Sequence, residues 1–128
     1  MTVLALEVLP ERLSVVRLEP AAAVPAWAAS GPLQCAVRTV DELSVIAVSA
    51  AVPTGLRAEG PFRALKVRGP LDFSATGILA SLALPLAEAR VSIFALSTFD
   101  TDYVLVRAEA LEPALHALRT AGHEILEP

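Results

Sequence analysis

The sequence holds a single cysteine, Cys35, among 128 residues. An intrachain disulfide is therefore impossible, and so is a metal site built on several thiolates. Lysine is equally scarce: Lys66 stands alone, and the nine arginines are scattered singly along a chain of formal charge −4. No basic stripe forms, so the electrostatic footprint of a nucleic-acid binder is missing. Long apolar runs are also missing. The stretch from Phe73 to Ala87 is free of charge but broken by Ser, Thr, Gly and Pro. It falls short of the ~20 residues a membrane-crossing helix needs. Met1 to Pro10 has no basic n-region and is interrupted by Glu7 and Pro10. It reads as a strand or tail rather than a signal peptide, and a cytoplasmic location is the default expectation.

Chemistry-bearing constellations are thin as well. His116 falls on the polar side of the last helical stretch, and His123 follows a glycine that reads as a helix cap. Both are expected at the surface, and no second ligand is spaced for a metal. Cys35 lies in an apolar run, where a lone cysteine acts as a small core residue. Asp72 and Glu88 would work as acid and base only if tertiary contacts joined them. Gly55, Gly60 and Gly69 sit among prolines and do not form a phosphate cradle. Trp27 is expected in the core or at an interface. No catalytic residue, metal or cofactor is expected.

Apolar residues make up 55% of the chain, so a real core can form and disorder is excluded. In the first half, Leu13–Leu18, Leu33–Thr39 and Leu43–Ser49 read as strands. Pro20 and Ser30-Gly31-Pro32 bracket a short alanine-rich helix from about Val24, with Pro25 in its first turn. Pro53, Gly55, Gly60 and Pro61 leave no room for a second helix longer than one turn. Leu56–Glu59 and Phe62–Val67 are strand candidates. In the second half, Ile78, Leu79, Leu82, Leu86 and Ala89 recur at helical spacing, with Ser74 or Thr76 as N-cap. Pro85 lies inside that helix, where it removes a hydrogen bond and crowds the carbonyl of Ser81. Arg90–Ser97 and Tyr103–Arg107 read as a hairpin. Ala110–Ala121 is an amphipathic helix capped by Gly122, and His123–Leu126 is a last short strand. From Phe62 onward the order is β-α-β-β-α-β, the split βαβ arrangement.

Ala36–Val48 can be laid over Ala95–Val106. Thr39 meets Thr98, Asp41 meets Asp100 and Val45 meets Val104 at one offset. Each segment is strand, Thr-x-Asp turn, strand, a chemistry that suits turns because short polar side chains bond nearby backbone N–H groups. Duplication explains this, and so do two ordinary hairpins with similar turns.

The run Ser97-Thr98-Phe99-Asp100-Thr101-Asp102-Tyr103-Val104-Leu105-Val106, the loop Gly69–Leu82 and the stretch Arg38–Val45 together resemble the tandem ACT-domain family. These are small bacterial amino-acid-binding ACT proteins, similar to the eukaryotic arginine-sensing CASTOR proteins. The resemblance implies an α+β fold of two tandem ferredoxin-like βαββαβ modules, residues 1–61 and 62–128. The sheets would be antiparallel with helices on one face, and the first module degenerate. It implies a regulatory or sensor protein, not an enzyme, acting as a homodimer without nucleic acid or membrane. An amino acid would be held by Thr76, Gly77 and Ile78 in the strand-to-helix loop and by Ser97, Thr98, Phe99 and Asp102 in the turn. The helix N-terminus suits an α-carboxylate, and Asp100 and Asp102 suit an α-ammonium. Leu79, Ala80, Ser81 and Leu82 carry no charge, so arginine specificity is not supported. The alternative is a structural or partner-binding ACT-like protein that has lost its ligand, its site filled by Phe73 and Phe99.

Overall fold

A computed structural model describes residues 2–126. The elements are β1 (Ala5–Leu18), β2 (Cys35–Arg38), β3 (Leu43–Val48), β4 (Arg57–Val67), α1 (Ile78–Glu88), β5 (Ile93–Ser97), β6 (Asp102–Arg107), α2 (Leu111–Thr120) and β7 (Glu124–Leu126). The chain divides into two compact units. One takes the residues up to Pro10 together with those from Arg63 onward, and the other is Glu11–Phe62. The boundary expected from the resemblance falls at one point, between 61 and 62. The start of β1 instead belongs with the second unit, because Ala5, Leu6 and Glu7 pair in parallel with Glu124, Ile125 and Leu126.

In the larger unit, β4-α1-β5-β6-α2-β7 follows the expected split βαββαβ order. Its hydrogen-bonded neighbours run β1-β4-β6-β5, with β7 against β1. The start of β1 is thus an extra strand between the first and last strands of the motif. Its parallel pairing with β7 departs from the all-antiparallel sheet expected. Strand alternation aims Leu6, Val8, Leu65, Val67, Val104 and Val106 at Leu82 and Leu86 of α1 and Leu115 and Leu118 of α2, forming one buried cluster. Leu115 and Leu118, three residues apart, share the face α2 turns inward. Gly122, at φ +98°, ends α2, with its N–H on Arg119 O and the His123 N–H on Leu118 O.

In the smaller unit, β2 pairs with β3 and β3 with the latter part of β1, both antiparallel. The helix expected from Val24 is a single 3-10 turn, Ala26–Ala28. Pro25 stays extended at φ −67°, ψ 151° instead of opening a helix, and Gly31-Pro32 follows too soon for a stable helix to propagate. Gly31 takes φ +78°, and a Cβ there would lie 2.4 Å from Val48 Cγ2. The second helix is likewise one 3-10 turn, Ser49–Ala51. Val16, Ala28, Leu43 and Val45 form this unit's core, with Trp27 packed against it. The expected strands at Leu56–Glu59 and Phe62–Val67 are one strand, β4.

Both predicted hairpins form with the same turn chemistry. Thr39 N–H donates to Glu42 O at 2.9 Å, and Thr98 N–H to Thr101 O at 2.8 Å. Thr39 Oγ1 accepts from the Asp41 and Glu42 N–H groups, and Thr98 Oγ1 accepts from the Thr101 N–H. Arg38 faces Leu43 and Ser97 faces Asp102, in matching register. The threonines bond the backbone within these turns, where the matching Thr-x-Asp spacing pointed to Asp41 and Asp100 as well.

Candidate functional site

The loop from β4 into α1 and the turn from β5 into β6 converge in the larger unit. Leu71 N–H donates to Asp100 O at 2.7 Å, tying loop to turn. Asp72 Oδ1 accepts from Ser74 N–H, and Asp72 O accepts from Ala75 N–H, so the loop folds back before the helix starts. Helix α1 then begins at Gly77, at φ +78°, with no side-chain cap and no acidic residue in its first turn. This corrects the expectation of Ser74 or Thr76 as N-cap. The left-handed backbone that only glycine adopts cheaply displaces the capping side chain. The first N–H groups of α1 consequently have no protein acceptor in the helix and present a partial positive charge.

Opposite them, Ser97 Oγ donates to Asp102 Oδ1 at 2.5 Å across the mouth of the hairpin. Thr98 Oγ1 donates to Thr101 O. Thr101 is buried and donates to Val67 O at 2.5 Å, anchoring the turn to β4. Between loop and turn lies a cavity of about 340 Å³. Gly77 and Ile78 line it from the helix side, and Ser97, Thr98, Phe99, Asp100 and Asp102 line it from the turn. Thr76, also expected there, does not line it. Asp72, Phe73, Leu79 and Ala80 also line it, beyond the contacts expected from the resemblance. Thr101 was missed too. Its only sequence signal is the second threonine of Thr98-x-x-Thr101, which is absent from the Thr39–Glu42 turn.

The cavity wall carries three carboxylates, Asp72, Asp100 and Asp102, and no basic side chain. Phe73 and Phe99 stack on each other, with ring centroids 5.3 Å apart and a tilt of 38°. They are 76% and 80% exposed. The phenyls stand at the rim and leave the space open rather than filling it.

A second correction concerns His123. It is buried, only 4% exposed, not on the surface. Its Nδ1 accepts from the Leu4 N–H at 3.1 Å, and its Nε2 donates to Ser81 O at 2.9 Å. Ser81 O is the carbonyl that Pro85, having no N–H, leaves without a helical donor. The imidazole therefore fills the gap that the proline makes. Ser81 Oγ in turn donates to Gly77 O at 2.7 Å, so the ring, the serine and the first turn of α1 form one bonded chain. His116 is exposed, as expected. Cys35 is partly buried, and burial raises its thiol pKa. Among the described residues no cluster of three or more His, Cys, Asp or Glu is arranged to hold a metal. No described helix is long and apolar enough to cross a membrane.

Comparison with known proteins bears on the family and the fold. The ACT domain profile matches residues 57–120, half of the chain, and a second profile, describing an N-terminal domain, matches residues 11–55. A crystallised protein of Agobacterium tumefaciens is 36% identical, with a TM-score of 0.93, covering 100% of this chain and 96% of its own. The cytosolic arginine sensor for mTORC1 subunit 1 of Homo sapiens is 46% identical over 43 residues, 34% of this chain. The match spans only 13% of that sensor's length. The regulatory subunit of aspartate kinase from Thermus flavus shares the fold, with a TM-score of 0.60 and 16% identity over 94% of this chain and 97% of its own. The split βαββαβ unit and the profile that covers it lead to one conclusion: the chain belongs to the ACT domain family.

Proposed function

We propose that this chain is a non-catalytic regulatory protein that binds a small amino acid in the cavity between the α1 N-terminus and the β5–β6 turn. One observation carries the reading: an uncapped helix N-terminus faces a carboxylate-lined wall across about 340 Å³. An amino acid carries both complements. Its α-carboxylate meets the free N–H groups of Ile78 and its neighbours. Its α-ammonium meets Asp100 or Asp102 by charge-assisted hydrogen bonds. Ser97 and Thr98 add polar contacts, and Phe99 covers the side chain. The volume lies in the range of small-molecule sites. The sensor and regulatory-subunit relatives support a regulatory role; a homodimer as the working unit rests on the edge that β5, unpaired there among the described residues, offers for strand addition. The smaller unit supplies no equivalent anion end, since its first helix is one 3-10 turn.

The open cavity disfavours the alternative of a filled, ligand-free site. The test is thermal stability against the twenty amino acids at millimolar concentration. A ligand at 100 times its Kd adds roughly 2.7 kcal/mol, a rise of several degrees in a chain of this size. A rise with one or a few amino acids, lost in Asp100→Ala or Asp102→Ala, is the expected result. No rise with any of them overturns the reading in favour of partner binding.

A further inference from the structure

A second cavity of about 430 Å³ opens on the larger unit, and its walls follow from strand alternation. Leu6, Val8, Leu65, Val67 and Val104 turn into the core beneath α1 and α2. The residues between or beside them, Glu7, Lys66 and Tyr103, therefore turn to the opposite face. Strands β1, β4 and β6 are neighbours in the sheet, and these three side chains line one cavity on that face. Arg68 lies two residues beyond Lys66, on the same face. Its own N–H still bonds Ala5 O at 2.8 Å, which holds it in line with the sheet. All four line the cavity, with Asp100 at its rim.

The two cations are its distinctive feature. Side chains two apart on a strand stand roughly 7 Å from each other. Among the described residues, neither the Lys66 nor the Arg68 side chain has a hydrogen-bond or ion-pair partner. An oxyanion seated between them is attracted by both, and the guanidinium offers it a fork of donors. The Tyr103 hydroxyl adds a neutral donor. Glu7 and Asp100 repel a bare oxyanion but accept hydrogen bonds from a hydroxyl or ammonium on the same molecule. A carboxylate with no donor group of its own, such as acetate, leaves these acceptors unmatched.

We infer that this cavity is a second binding site, for a small carboxylate that also bears a hydroxyl or ammonium group. The carboxylate lies across Lys66 and Arg68, and the donor group meets Glu7 or Asp100. This does not rest on the amino-acid reading of the first cavity. Thr98, Asp100 and Thr101 belong to both walls, so the test uses residues that belong to one wall only.

Malate and serine serve as probes, with acetate and chloride at matched ionic strength as controls, followed through the amide shifts of the isotope-labelled chain. The expected result is saturable shifts at Arg68, Gly69 and Tyr103 with malate or serine, and none with acetate or chloride. Lys66→Ala and Arg68→Ala each weaken that binding at least tenfold, whereas Phe73→Ala, in the first wall only, leaves it unchanged. Four outcomes overturn the inference. They are no saturable shift with either probe, equal shifts with acetate or chloride, affinity unaltered in both cation variants, or shifts confined to Gly77–Ala80. The last would assign all binding to the first cavity.

Discussion

Replacing His123 by alanine removes the donor on Ser81 O and the acceptor for the Leu4 N–H together. Both groups are buried with the ring, and a buried polar group left unpaired costs about 1–3 kcal/mol. The sum is about 2–6 kcal/mol, a large share of the ~5–15 kcal/mol that holds a domain folded. His123→Phe keeps most of the volume and neither hydrogen bond, so it falls in the same range if hydrogen bonding dominates. The decisive step is a cycle with Pro85→Ala. Alanine at 85 regains an N–H directed at Ser81 O, so the carbonyl no longer depends on the imidazole. His123→Ala should then cost about 1 kcal/mol less in the Pro85→Ala background than in the native chain. Urea unfolding followed by circular dichroism measures each corner of the cycle. A His123→Ala cost below ~0.5 kcal/mol, or a coupling of zero, would refute the idea that the ring repairs the helix.

Three further outcomes follow from local geometry. Gly77→Ala meets no steric neighbour, but at φ +78° it should destabilise the fold by about 1–2 kcal/mol from left-handed backbone strain. Gly77→Asn should lose less, and equal losses in urea unfolding would contradict the strain argument. Burial raises the Cys35 thiol pKa, so less thiolate exists at a given pH than in a free thiol. Its reaction with a disulfide reagent should be slower than that of glutathione near neutral pH and should accelerate as pH rises; a faster rate would refute this. Strand β5 pairs only with β6 among the described residues, leaving an edge open to strand addition. Light scattering should give the dimer mass, and a monomer mass at all concentrations would remove the dimer from the proposal.

Much of the site was legible because its parts are local. The Thr98 turn needs only residues within four positions, and its likeness to the Thr39 turn shows in the spacing of Thr and Asp. The helical period of Ile78, Leu82 and Leu86 located α1 almost to the residue. The N-cap was misread because Ser74 and Thr76 are better capping side chains than glycine. The loop's return after Asp72 brings the chain in with a left-handed turn that a side-chain cap does not accompany. Phe73 and Phe99 were read as material to fill the site. Their high exposure shows that they stand at its rim.

The elements of the second half and the two hairpins with their turns are legible in the sequence. These depend on backbone preferences and periodicity within a few residues. Long-range packing places Ala5, Leu6 and Glu7 between β4 and β7, takes Thr101 back 34 positions to Val67, and takes His123 119 positions to Leu4. It also brings Glu7, Lys66 and Tyr103 to the wall of one cavity. No local preference encodes a partner so distant. Sheet order selects it, by burying each strand's apolar face and leaving each stranded carbonyl or N–H to find whatever group the packing brings within reach.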